Sequence, residues 1–245
     1  MNSPRWLRGA VAVALAGLCA AVAATPTGAA TPRTTRTAHR AASGGEIVIG
    51  AEQEPRCADW IDSCAGETWG IWTMGEHTMP RVCDIVQRAG QWVYQPSVLM
   101  AAPPTLSTVG ANQVVTYQLN PKAVWSDGQP ITSTDFKYTW DQVAHGKNIY
   151  DRTGYDRIAS IDDTNPRVAV ATFSSPFAGW RQLFGGGFYG VFPSHLLAGK
   201  DRDAQMKDGY SWSGGPFKIQ TWDKGVRIVL VPNPAYWGPK PKLAK

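Results

Sequence analysis

The chain has 245 residues, of which 43% are hydrophobic and 11% aromatic, so it can bury a sizeable core and is not a disordered polypeptide. Its formal net charge is +5, but Arg5, Arg8, Arg33, Arg36 and Arg40 are the only charged residues before position 41, and the remainder carries 19 basic and 19 acidic side chains. This balance argues against a nucleic-acid-binding surface, which needs concentrated positive charge.

The N-terminal segment has the features of an export signal. Residues 1–24 combine a basic start, an apolar run and an Ala-x-Ala sequence ending at Ala23. The run is short for the roughly 30 Å of a bilayer core, so a retained membrane helix is disfavoured. A lipid anchor at Cys19 is also disfavoured, since Leu18 stands where a small residue is required. We expect an exported, extracellular or cell-envelope protein with a flexible linker at 25–45.

From residue 46 to the end, hydrophobic periodicity predicts one mixed α+β or α/β domain with more strands than helices. Period-two apolar runs bounded by turn residues indicate strands, and apolar residues three and four apart indicate helices. Predicted strands are 46–50, part of 91–100, 114–119, 157–161, 167–173, 217–222 and 226–231, and predicted helices are 68–79, 132–145 and 177–184.

The stretch VWSDGQPITSTDFKYTW, residues 124–140, predicts a turn followed by a capped helix. Asp127-Gly128 supplies the turn, because glycine adopts positive φ at little cost. Thr132 and Asp135 have the spacing of a capping box, in which side chains satisfy free N–H groups at a helix start. The apolar residues that follow at intervals of four and three predict a helix ending near His145-Gly146.

Catalytic motifs in the sequence are incomplete. Gly185, Gly187 and Gly190 fit Gly-x-Gly-x-x-Gly, but Pro193 follows where a helix should open, so we expect a glycine loop without a phosphate. GYSWSGG resembles a nucleophile elbow, yet Ser213 occupies the place of the required glycine. The four histidines are scattered, without a metal-binding His pair. We therefore predict no enzymatic activity and no cofactor.

Three cysteines remain after export: Cys57, Cys64 and Cys83. In an oxidising compartment Cys57 and Cys64 can close a small loop, which leaves Cys83 without a partner. A zinc site with His77 lacks close Cys-x-x-Cys spacing and is disfavoured. We predict either a Cys57–Cys64 disulfide or buried thiols, and no metal.

Three segments in a fixed order resemble the bacterial extracellular solute-binding proteins of family 5, the oligopeptide and dipeptide type. They are YQLNPKAVWSDGQPITSTDFKYTW at 117–140, FPSHLL at 192–197 and GGPFKIQTWDKGVRIVLVPNPAYWG at 214–238. The resemblance covers about 46–242 and implies the first lobe of a periplasmic-binding-protein type II-like fold, with mixed sheets and flanking helices. Since the family has two lobes, it also implies that the second lobe is missing.

The family resemblance implies a monomeric, extracytoplasmic binding component of an ABC importer that hands peptides to a membrane permease. The ten Trp residues outside the signal are expected to be mostly structural, with the remainder lining a cleft. The region 57–83 resembles the family least, so the ligand stays open as peptide, sugar or metal chelate. Predicted ligand-binding residues are Glu67, Trp69, Trp72, Tyr150, Tyr155 and Tyr189.

Two alternatives remain open on sequence grounds. The first is a secreted carbohydrate-binding or hydrolytic module that uses exposed Trp side chains. The second is a non-functional truncated remnant, which would leave a lobe interface bare and favour aggregation.

Overall fold

The computed structural model describes residues 44–64, 69–185 and 190–245, all within one compact unit, residues 41–245. The predicted signal at 1–24 and nearly all of the predicted linker lie outside the described residues. The described elements are α1 Trp69–Thr78, β1 Cys83–Arg88, β2 Gln91–Pro96, β3 Thr105–Val109, β4 Asn112–Gln118, α2 Ser133–His145, β5 Ile158–Asn165, β6 Val168–Phe173, α3 Ser194–Leu197, α4 Arg202–Met206, β7 Phe217–Asp223 and β8 Arg227–Pro232. Short 3₁₀ turns lie at Tyr155–Arg157 and Trp180–Gly185.

The strands form two hairpins and one larger sheet. β1 pairs with β2 and β7 with β8, while four strands are ordered β3-β4-β6-β5. Every pairing between these strands is antiparallel, and the parallel component among the described residues is an isolated bridge from Gly45 to Leu243. The mixed α+β class is thus confirmed, and no described helix combines the length and apolarity needed to cross a membrane.

Helix α2 covers one face of the four-stranded sheet. Its Phe136 is fully buried and packs on Tyr117 of β4 at 5.5 Å between ring centroids. Phe184 meets both rings, at 5.0 Å from Phe136 and 5.4 Å from Tyr117. The alternation of β4 places Val115 and Tyr117 inside, as their period-two spacing predicts.

The predicted helix over 177–184 is only a short 3₁₀ segment. Its regular geometry breaks at Leu183 and Phe184, and Phe184 has φ +55° in the left-handed region. The Phe184 N–H donates to the Tyr155 hydroxyl at 2.6 Å, and the Phe184 side chain is fully buried. Tertiary packing therefore holds Phe184 in a conformation that local preference disfavours.

The predicted first strand at 46–50 is wrong. These residues lie outside the named strands, and Ile47 and Val48 are 57% and 84% exposed. Their backbone contact is with the end of the chain, where Ile47 N–H donates to the Lys245 carbonyl at 3.2 Å. An alternating apolar run forms a strand only if a neighbouring strand pairs with it through a series of backbone hydrogen bonds. Among the described residues, the backbone bonding of 46–50 is limited to this contact with the chain end.

Candidate functional site

Asp135 connects the turn before α2 to the start of α3. Its Oδ2 accepts hydrogen bonds from the Thr132 N–H at 2.9 Å and the Trp125 indole N–H at 3.2 Å. Its Oδ1 accepts from the N–H and the hydroxyl of Ser194, at 2.8 and 2.6 Å. The carboxylate is only 1% exposed, so these four donors replace the water that it loses on burial. The predicted capping box is present and also fixes α3.

His195 joins the same two segments near the surface. Its Nε2 lies 2.8 Å from Asp127 Oδ2, and the two side chains are 30% and 38% exposed. Partial burial acts to raise the pKa of Asp127, but the hydrogen bonds from His195 and the Gln129 N–H outweigh it and hold that pKa below its usual value. The turn and the FPSHLL segment are therefore in direct polar contact.

Ser213, the residue directly before the third family-like segment, contacts that segment at the Phe217 carbonyl and also contacts the first segment. The Ser126 N–H donates to the Ser213 carbonyl at 2.7 Å, and the Ser213 N–H donates back to the Ser126 hydroxyl at 3.0 Å. The buried Ser213 hydroxyl donates to the Thr78 carbonyl at 2.7 Å, a structural contact. A Cβ on Gly215 would lie 2.5 Å from the His77 carbonyl oxygen, so only glycine fits there. All three segments thus form one contiguous scaffold.

An aromatic cluster lies beneath this scaffold. Trp60 stacks on Phe192 at 4.3 Å, and Tyr210 stacks on Trp212 at 4.5 Å. Trp60 also meets Trp212 edge to face at 6.3 Å, and Trp125 meets it at 5.8 Å. Trp60, Trp125 and Trp212 are at most 9% exposed. These tryptophans are core residues, as expected for most Trp side chains.

A buried charge cluster ties the N-terminal segment to α4. Arg202 Nε donates to Asp59 Oδ2 at 2.5 Å and Arg202 Nη2 to Asp203 Oδ1 at 2.7 Å, while Asp62 Oδ2 lies 3.8 Å away. Burial raises the pKa of Asp59 to about 6 despite the opposing charge of Arg202. Burial is also the main cause that raises the pKa of Asp62. Asp59, Asp62 and Asp203 are close enough to share a cation, but the Arg202 guanidinium already supplies positive charge there.

The predicted disulfide is confirmed: Cys57 and Cys64 are bonded, with their Cα atoms 5.9 Å apart. This pairing excludes the alternative of zinc ligation by their thiolates in this form. Cys83 is free and buried, and burial raises the pKa of its thiol to about 11, so it is not a reactive thiolate near neutral pH.

Replacing Cys57 and Cys64 together with Ala is expected to lower the free energy of unfolding by about 2–3 kcal/mol, because the cross-link restricts the unfolded chain even for a short loop. Urea unfolding of the double variant, compared with the oxidised parent, measures this loss. The reduced parent is the matched control and should lose a similar amount, and an unchanged midpoint in the double variant would contradict a stabilising role.

The structure places the predicted ligand-binding residues in different settings. Glu67 and Tyr189 lie outside the described residues, and Trp69 is described only as the first residue of α1. Trp72 is partly buried against the core, and Tyr150 is 50% exposed. Tyr155 is only 2% exposed, its hydroxyl accepts the Phe184 N–H, and it serves the core instead of presenting a free surface.

Two surface concavities are lined, among the described residues, by side chains other than Trp72, Tyr150 and Tyr155. One, of about 600 Å³, lies beside the end of α2 and is lined mainly by polar side chains such as Asp141, Gln142 and Asp203. The other, of about 470 Å³, is lined by Leu196, Leu197, Lys200, Gln205, Gly209, Tyr210, Ser211 and Trp212. No sequence motif indicates this second set, because its residues belong to short elements and the loop between them.

Comparison with known proteins identifies the scaffold. Residues 100–245 match the family described as bacterial extracellular solute-binding proteins, family 5 Middle. The chain belongs to this family. Over 139 residues it is 37% identical to the oligopeptide-binding protein OppA of Mycobacterium tuberculosis, covering 54% of this chain and 23% of that protein. The family-5 chain therefore spans about a quarter of the length of this curated relative.

Two further comparisons agree with the family. The chain is 31% identical over 158 residues to the probable monoacyl phosphatidylinositol tetramannoside-binding protein LpqW of M. tuberculosis, covering 62% of this chain and 24% of LpqW. The periplasmic EDTA-binding protein EppA superposes with a TM-score of 0.72 at 27% identity, over 82% of this chain and 38% of EppA. The type II periplasmic-binding fold is therefore confirmed for the described unit.

Proposed function

We propose that this family-5 chain is the recognition component of an extracytoplasmic ABC importer and that it binds peptides for delivery to a membrane permease. The observation that carries the proposal is the 37% identity to the oligopeptide-binding protein OppA. This similarity is supported by the contacts through Asp135, His195 and Ser213, which join the three family-like segments into one scaffold. The bound peptide is released unchanged, without catalysis.

The proposed organisation follows the sequence. Residues 1–24 direct export, residues 25–45 form a linker, and residues 46–245 form the lobe that contacts solute. Cys19 remains the less favoured site of a lipid anchor. The family is named for extracellular proteins, in agreement with this location.

The ligand contacts follow from the exposed aromatic side chains. Tyr150 is half exposed and Trp72 is partly accessible, so both can present an aromatic surface to a peptide. Glu67, Trp69 and Tyr189 stay in the proposed set from the sequence. Tyr155 contributes indirectly, by holding Phe184 in place.

Calorimetric titration of the chain with a pool of tri- and tetrapeptides tests the proposal. We expect saturable heat with peptides and no heat with the corresponding free amino acids, because short peptides add backbone hydrogen-bonding groups. Tyr150→Ala should weaken binding, while Tyr94→Ala, an exposed aromatic change on β2, should not. Binding of no peptide in the pool would contradict the proposal.

A glycan-bearing ligand is the second candidate. It is favoured by the 31% identity to LpqW, which is named as a probable tetramannoside-binding protein. Titration with a mannose oligosaccharide distinguishes the two candidates, since saturable heat with the sugar and none with peptides would favour the glycan.

A further inference from the structure

The 470 Å³ concavity lies between α3 and the segment leading to β7. The described residues that line it all fall within 196–212. Its volume is within the range of about 300–1,000 Å³ that is usual for small-molecule sites. None of these lining residues belongs to the peptide site proposed above.

Apolar and aromatic side chains form one part of this concavity. Leu196 and Leu197 line it from α3, and Tyr210 and Trp212 line it from the following segment. The Tyr210 and Trp212 rings are stacked with an interplanar angle of 26°, and the Tyr210 hydroxyl is hydrogen-bonded to Thr78 at 2.7 Å. This surface is rigid because its rings are packed into the core, and it suits a flat or apolar ligand body.

Polar side chains without protein partners form the other part. Within the described residues, the side chains of Lys200, Gln205 and Ser211 make no hydrogen bond or ion pair. Lys200 supplies a positive charge, and Ser211 and Gln205 supply additional donors. An ammonium and a hydroxyl beside an apolar surface match a carboxylate attached to an apolar body.

Nearby acidic groups have other partners. The Asp201 side chain accepts the Ala204 N–H at 3.2 Å and caps α4. Asp203 is paired with Arg202 at 2.7 Å, and Asp208 lies 3.7 Å from Lys224. Since these carboxylates are engaged elsewhere, Lys200 remains available to an incoming anion.

We propose that this concavity binds a small organic anion that combines a carboxylate with an apolar, planar body. The carboxylate contacts Lys200 and Ser211, and the body lies against Leu196, which is partly exposed, and the accessible part of Trp212. None of these four contact residues is used by the peptide proposal, so the two proposals succeed or fail separately.

Phenylacetate is a suitable probe, and phenylacetamide is its neutral counterpart of nearly equal shape. Saturation-transfer NMR on the probe, together with the amide shift of Ser211 in ¹⁵N-labelled protein, reports binding and its location. We expect phenylacetate to bind saturably in the millimolar range and phenylacetamide to bind about tenfold more weakly, since only the former pairs with a cation.

Three variants locate the interaction. Lys200→Gln should weaken phenylacetate binding about tenfold, and Ser211→Ala about threefold. Lys207→Gln removes the same charge from an exposed position outside the lining and should stay within twofold of the parent. Equal affinity for phenylacetate and phenylacetamide, an unchanged affinity in Lys200→Gln, or no saturable binding of phenylacetate would overturn the proposal. Because Lys200 also lines the larger polar concavity, an unchanged affinity in Ser211→Ala would place the anion there and overturn it too.

Discussion

Arg202→Met is expected to lower the free energy of unfolding at pH 7 by about 3–5 kcal/mol, since it leaves buried carboxylates without their cation. Asp59 is 1% and Asp62 is 5% exposed, so neither regains full hydration in the folded state. Urea unfolding followed by Trp fluorescence measures the loss. Arg227→Met, which breaks an exposed ion pair with Asp223, is the matched control and should change stability by less than about 1 kcal/mol.

The pH dependence of the stability loss in Arg202→Met distinguishes the contribution of the arginine charge from that of its packing. The pKa of Asp59 is raised from 3.8 to about 6 in the folded state. The free energy of unfolding therefore falls as the pH rises from about 4 to 6, and above pH 6 the ionised Asp59 side chain is destabilising. At pH 4 Asp59 is largely protonated in the folded state, and the loss in Arg202→Met should be smaller than at pH 7. Equal losses at both pH values would show that the arginine acts by packing alone.

Asp135→Ala is expected to lower the free energy of unfolding by about 3–4 kcal/mol. The substitution leaves the N–H groups of Thr132 and Ser194 and the indole N–H of Trp125 without their acceptor, and each unsatisfied buried donor costs about 1–3 kcal/mol. It also removes the N-terminal carboxylate of α2, which stabilises the helix dipole. Chemical unfolding with far-UV circular dichroism measures the effect.

Two further variants test the role of Asp135. Asp135→Asn keeps the shape of the side chain but replaces one acceptor oxygen with an NH₂ group, which then faces N–H and O–H donors. This variant should be destabilising by about 2 kcal/mol. Asp141→Ala removes an exposed carboxylate from the same helix, where it lies 3.2 Å from His145, and should stay within about 0.5 kcal/mol of the parent. A loss in Asp135→Ala no greater than in Asp141→Ala would contradict the proposed scaffold.

Local sequence signals predicted the elements whose causes are local. The capping residues and apolar stripe placed α2 within one residue of its observed start, and Gly146 is its C-cap as expected. The predicted strands 217–222 and 226–231 pair as the β7–β8 hairpin, and Gly225 in its turn has a positive φ of +73°. These features depend on residues a few positions apart, which a single sequence displays directly.

Features that depend on distant residues escaped prediction. The ion pair between Asp59 and Arg202 spans 143 positions, and no pattern in either segment indicates it. Residues 46–50 have the apolar alternation of a strand but form none. Alternation indicates which side chains a strand would bury, but it does not indicate whether a neighbouring strand is present to pair with it. Strand β3 was missed because all five of its residues are exposed, and β1 because half of its residues are exposed and its apolar residues Ile85 and Val86 are adjacent and do not alternate.

The candidate site was predicted less well than the fold. Tyr155 was predicted as a ligand contact because it follows the family-like helix and aromatic side chains commonly line ligand pockets, but the structure buries it against Phe184. Lys200 and Ser211 were not selected, because their common concavity is created only when α3 packs against the following loop. Which side chains are exposed, and which of them come together at one surface, is decided by the fold and cannot be read from the spacing of a motif.

Equilibrium dialysis of the chain against a defined peptide mixture, followed by mass spectrometry of both compartments, tests most directly whether it binds a solute without transforming it. We predict that specific peptides are retained on the protein side above their level with a urea-unfolded control and that every peptide is recovered intact. Equal distribution of all peptides, or the appearance of cleavage products that scale with protein concentration, would contradict this function.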